Sequence, residues 1–141
     1  MLIKQLSVFL ENKSGRITEV LSALGDETIN IKALTVADTS EFGILRMLVS
    51  EPDKAYRILK NKEFSVNLTD VLMIATPCES GSFAKALKIL SDKNISIEYM
   101  YAFSIGDKAA LVMRTEDTDT AISAIQENNM ELLNAKELNN L

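Results

Sequence analysis

The sequence predicts an α+β fold: two βαββαβ repeats in tandem, pairing side by side into one eight-stranded antiparallel sheet with four helices on one face. Three observations predict it. The chain matches itself without gaps at an offset of 66 residues. Each half runs through the same order of strand-like and helix-like patterns. And the polar turn at residues 11–16, Glu-Asn-Lys-Ser-Gly-Arg, recurs as Pro-Cys-Glu-Ser-Gly-Ser at residues 77–82.

The self-match falls on positions of core character and on the turn. It pairs Leu6 with Leu72, Ser14 with Ser80, Gly15 with Gly81, Leu21 with Leu87 and Leu24 with Leu90. Further on, Ile29 meets Ile95, Ile31 meets Ile97, Leu45 meets Leu111 and Met47 meets Met113. Chance matches would not select such positions, so the chain is a duplication.

In the first repeat, residues 2–10 are an apolar strand, and residues 16–27 form a helix with Ile17, Val20, Leu21 and Leu24 on one face. Residues 29–38 alternate as a strand with Ile29, Ile31, Ala33 and Thr35 on one parity, and residues 43–50 form the next. Residues 50–53, Ser-Glu-Pro-Asp, start a second helix with Ser50 as N-cap and Pro52 in the first turn. It runs to about residue 61, and Phe64, Val66 and Leu68 supply a fourth strand.

The second repeat gives a strand at residues 71–76, a helix at 82–93, strands at 95–105 and 109–115, and a helix at 118–128. A last strand follows at about residues 130–136. This order is the ferredoxin-like split βαβ unit, with both helices of each repeat on one side of its sheet. The repeats are residues 1–69 and 70–141, with residues 69–70 as the whole linker. A unit of this size buries little surface alone. The expected joint pairs the edge strand at 29–38 with that at 95–105. Residues 43–49 are apolar on both parities, which predicts a second chain over their helix-free face and hence a homodimer.

Composition excludes much. Apolar residues make up 47% of the 141, enough for a folded core, and the net charge is −5. An acidic chain lacks the basic face that nucleic acid or an anionic membrane requires. No His is present and Cys78 is the lone cysteine, so Ser–His–Asp, Cys–His and His- or thiolate-metal sites are excluded. No metal or other cofactor is expected. The start of the chain shows no basic leader and no apolar run spans a membrane, which predicts a cytoplasmic protein.

The turn at residues 11–16 joins a strand to a helix, with Gly where backbone can approach a ligand. Backbone N–H groups at a helix N-terminus suit a carboxylate or phosphate. Structural readings stand beside this one: Ser14 and Ser80 suit helix capping, and Gly15 and Gly81 suit plain turns. Recurrence of the whole turn favours the site. Cys78 near a helix start could be acidified, but Glu79 opposes that and no second Cys accompanies it.

The turn pattern Asn12-x-x-Gly15-x-Ile17, with Ile29-Asn30-Ile31 opening the second strand, resembles the ACT domain family, here as two ACT-like repeats covering the whole chain. The resemblance implies a free-standing regulatory module that binds an amino acid at the joint between paired domains, and a metabolic enzyme as partner. It implies two composite sites. One combines Asn12, Lys13, Ser14 and Gly15 with Ile95, Ser96 and Ile97; the other combines Cys78, Glu79, Ser80 and Gly81 with Ile29, Asn30 and Ile31. Cys78 and Ser96 depart from the family's Asn, so the two sites are unequal. Tyr99 adds an aromatic wall in the second repeat only, with Tyr101 on the same parity, although both equally suit interface packing. The alternative function is a ligand-independent subunit that docks on a metabolic enzyme. An enzyme is not expected: no His, no phosphate loop and no cluster of Arg supports catalysis.

Overall fold

A computed structural model describes residues 2–11, 13–38 and 41–141, with backbone alone at Asp38. The elements are β1 (Ile3–Glu11), α1 (Arg16–Asp26), β2 (Ile31–Asp38), β3 (Phe42–Val49), α2 (Pro52–Asn61) and β4 (Ser65–Pro77). They continue with α3 (Ser82–Ser91), β5 (Ile97–Ile105), β6 (Lys108–Thr115), α4 (Thr118–Glu127), β7 (Glu131–Leu132) and α5 (Ala135–Asn139). The chain divides into two compact units, residues 4–69 and residues 70–141, the latter also taking in Leu2 and Ile3.

In the first unit the strand order is β2-β3-β1-β4. Leu6 pairs with Met47 and Val8 with Leu45, and these side chains form a buried core with Val20 and Leu24 of α1 and Ala55 and Leu59 of α2. In the second unit the order is β5-β6-β4-β7. Leu72 pairs with Met113 and Ile74 with Leu111, over Ala86 and Leu90 of α3 and Ala121 and Ile125 of α4. Each unit thus repeats the βαββαβ plan with its own core.

Several details correct the expectation. The described strands number seven rather than eight, because β4 is one continuous strand of 13 residues. Its first part closes the first unit and its second part opens the next. Thr69 and Asp70, expected to be a linker, continue the strand: no Gly or Pro interrupts the run until Pro77. The described helices number five rather than four. The extra one, α5, is started by Asn134, whose side chain accepts from the Glu137 N–H at 2.9 Å. Nor do β2 and β5 pair with each other: among the described strands β2 pairs only with β3, and β5 only with β6. Leu48, expected to need a second chain as cover, is already fully buried in one chain.

The strand parity of β2 also differs. Ile31 faces Val49, Ala33 faces Leu48 and Leu34 faces Met47, so Lys32 is an extra residue and the alternation flips there. Leu34 and Val36 therefore share the core side with Met47 and Leu45, while Ala33 and Thr35 take the other face. The second unit has the same bulge at Glu98, whose carboxylate is held by Arg114 Nε at 2.7 Å. Finally, Ser50 is not a helix cap. Its Oγ accepts from the Asn30 N–H at 3.0 Å, and Glu51 takes the cap position without a side-chain bond.

Candidate functional site

The two turns share most of their bonding. In the first, the Lys13 N–H donates to the Glu11 carbonyl at 2.8 Å and the Arg16 N–H to the Lys13 carbonyl at 3.3 Å. In the second, the Ser82 N–H donates to the Glu79 carbonyl at 3.2 Å. Gly15 and Gly81 cap α1 and α3 with φ of 86° and 84°, the left-handed region that favours glycine. Each carbonyl then accepts from the residue four on, Glu19 or Lys85, at 2.9 Å. Neither helix receives a side-chain cap, so the serines of the two turns do not serve as expected. By contrast, Asp117 caps α4. Gly15 and Gly81 at the cap positions bring no side chain to the first-turn N–H groups, and the positive end of each helix dipole lies there.

A cavity adjoins each turn within its own unit. In the first it is about 140 Å³ and is lined by Glu11, Lys13 and Ile17 together with Val36, Gly43 and Leu45. In the second it is about 450 Å³ and is lined by Pro77, Cys78, Glu79, Gly81, Phe83, Ala84, Ser104 and Ala109. The linings correspond at the repeat offset: Lys13 to Glu79, Ile17 to Phe83, Gly43 to Ala109. Val36, which walls the smaller cavity, has Ala102 as its counterpart, and the shorter side chain leaves more room. The charges differ as well. Lys13 holds Glu11 at 2.8 Å, and that hydrogen bond lowers the Glu11 carboxyl below the usual carboxylate range. The second turn offers Glu79 and the exposed Cys78 thiol instead.

Of the residues singled out from sequence, Lys13, Ser14 and Gly15 meet at the first turn and Cys78, Glu79, Ser80 and Gly81 at the second; Asn12 lies outside the described residues. The two strand-opening triplets line neither turn cavity of their own units. Ile29 and Ile95 are buried where α1 and α3 end, and each N–H returns to the last turn of its helix at 3.0 Å. Asn30 is bound to Ser50 through its N–H and, at 2.9 Å, its carbonyl. The Ser96 carbonyl accepts from the Glu116 N–H at 3.3 Å, and Ile31 and Ile97 pack against the cores. Tyr99 faces Arg114, away from the turn cavity. Phe83, Ser104, Ala109 and Val36 were not singled out. The offset pairing of Ile17 with Phe83 could have found one of them, since both follow the turn Gly by two residues.

The sequence pattern that defines the ACT domain pair matches residues 1–141. The chain belongs to the ACT domain pair family. A Bacteroides thetaiotaomicron protein of known crystal structure is 48% identical to this ACT domain pair, with a TM-score of 0.95 over 100% of this chain and 98% of that one. The regulatory subunit of aspartate kinase from Thermus thermophilus, in its ligand-free form, is similar at 15% identity and a TM-score of 0.63, covering 89% of this chain and 93% of its own. A putative C-terminal regulatory domain of aspartate kinase from Porphyromonas gingivalis gives 13%, 0.55, 90% and 93%. At such identities these two share the fold. No curated protein matches. Among the described residues of this ACT domain pair, no helix is long and apolar enough to cross a membrane.

Proposed function

We propose that this ACT domain pair is a non-catalytic regulatory protein that binds an amino acid at its turn cavities. One observation carries the reading: two equivalent turns each combine a left-handed Gly, a helix start without a side-chain cap and an adjoining cavity. The N–H groups would take the α-carboxylate and the apolar wall would select the side chain. The second cavity, about 450 Å³ against 140 Å³, is the principal site. The strand openings at Ile29, Asn30 and Ile31 and at Ile95, Ser96 and Ile97 complete the sites from a neighbouring repeat. Because β2 and β5 each pair on one side only, that neighbour is a repeat of a second copy in a homodimer.

The lone cysteine supplies a direct test. Cys78 is exposed and lines the larger cavity. An amino acid that binds there raises the melting temperature and slows thiol labelling of Cys78 in proportion to occupancy. If none of the twenty does either at millimolar concentration, the reading fails. A second reading, ligand-independent docking on a metabolic enzyme, is favoured by Leu34 and Val36. They stand 46% and 43% exposed on the edge strand β2, which pairs on one side only. It predicts partner binding indifferent to every amino acid and lost on Leu34→Lys.

A further inference from the structure

The second unit holds another cavity, of about 440 Å³, on the side of its turn that faces α4 and β7 rather than β5. Its walls are the turn at residues 80–82, Lys85 one turn into α3, Thr76 of β4 and the segment 128–131. Alternation along β4 puts Thr76 on the helix side with Leu72 and Ile74. Thr76 is only 1% exposed, and its Oγ1 has no hydrogen-bond partner among the described residues. Buried hydroxyls are almost always satisfied, so this one points to a group that enters the cavity.

The first repeat serves as an internal control. At the positions of Thr76, Ser82, Lys85 and Met130 it carries Leu10, Arg16, Glu19 and Phe64. There the Arg16 guanidinium lies 4.9 Å from the centroid of the Phe64 ring and binds Glu19 at 2.8 Å. The corresponding space is thus spanned by a side chain whose charge is already neutralised. In the second repeat the spanning residue is reduced to a serine, the floor gains a hydroxyl and the acid becomes a lysine. Lys85 makes no ion pair among the described residues, whereas Lys108 across the cavity is tied to Glu131 at 3.4 Å.

We propose that this cavity is a second binding site, found in the second repeat only, for a small organic oxyanion. The anion lies against Lys85, and a hydroxyl or second oxyanion group of the same molecule reaches Thr76. Glu79 at the rim disfavours a compact, highly charged anion and suits one that also carries a donor.

The test is calorimetric titration of the full chain with malate, succinate and inorganic phosphate at matched ionic strength. At least one dicarboxylate binds in the millimolar range or tighter. Lys85→Ala weakens it about tenfold or more, the value of one charge-assisted bond. The double variant Ser82→Arg with Met130→Phe restores the first repeat's filling and abolishes binding, while Thr76→Val removes any preference of malate over succinate. Binding of either dicarboxylate, with or without phosphate, supports the proposal, and binding of phosphate alone overturns it. The proposal is overturned if none of the three binds, or if binding survives Lys85→Ala unchanged. Lys85 is exposed, so that variant carries the test even if the double variant fails to fold. Amino-acid protection of Cys78 that persists in Lys85→Ala leaves the turn cavity intact as a separate site.

Discussion

Arg16 and Phe64 join the first turn of α1 to the residue that closes α2: Phe64 returns its N–H to the Leu59 carbonyl at 3.0 Å beneath the guanidinium. The stack and the Arg16–Glu19 pair are partly exposed, so each contributes modestly. Arg16→Ala is expected to lower unfolding stability by about 1 kcal/mol. In a double-mutant cycle with Phe64→Leu, urea melts should return a coupling of about 0.5–1 kcal/mol. Zero coupling would mean that the stack adds nothing beyond packing.

The four long helices close alike, but the repeats use different residues to do it. Thr28, Glu63, Asn94 and Asn129 have φ of 61°, 67°, 56° and 56°. Each following residue, Ile29, Phe64, Ile95 or Met130, donates back into the last helical turn at 3.0–3.1 Å. The second repeat places Asn at both positions, a residue that tolerates this conformation. A β-branched Thr does not. Thr28→Asn should therefore raise stability by about 1 kcal/mol, and Glu63→Asn by less. Thermal melts check the order; a destabilised Thr28→Asn would show that its hydroxyl matters more than its backbone.

Gly81 and Gly25 predict opposite signs for the same substitution. A Cβ at either meets nothing within 4 Å, so sterics against neighbours do not decide. Gly81 is left-handed, and Gly81→Ala should cost about 1–2 kcal/mol. Gly25 lies inside α1, where alanine is preferred, and Gly25→Ala should gain about 0.5–1 kcal/mol. Chemical denaturation of the two variants reads both. Gly81→Ala should also weaken ligand protection of Cys78, because the turn that lines the cavity shifts.

The repeat and its turns were legible because they are sequence-local: an identical Ser-Gly at one offset, followed each time by a helical pattern. What stayed hidden is tertiary. The bulge at Lys32 could not be read, since residues 33–36 are Ala-Leu-Thr-Val and offer apolar groups on both parities. Thr69 and Asp70 look like a connector by polarity, yet they lie inside one unbroken strand of 13 residues. Asn30 reads from the sequence as part of a composite site, but its N–H and carbonyl both bond Ser50. The cavity walls at Ala109 and Ser104 come from strands far along the chain, and no local pattern marks them.

Asp117 ties the stability of the second repeat to pH. Its Oδ2 accepts from the Thr120 hydroxyl at 2.7 Å and its Oδ1 from the Thr120 N–H at 3.1 Å. These bonds, the hydroxyl's first, hold the carboxyl below the usual Asp range. A depressed carboxylate contributes its stability above the unfolded-state pKa, near 4 for Asp, and loses it as pH falls through the lower folded-state value. The counterpart at α2, Glu51, makes no such bond, so the effect belongs to α4 alone. Asp117→Asn keeps a good cap but cannot titrate. Its stability, measured by urea melts across the acid range, should fall below the parent's at neutral pH and converge with it once the pH drops below the depressed folded-state value of Asp117. Parallel curves throughout would show that the cap bond is insensitive to the charge of Asp117.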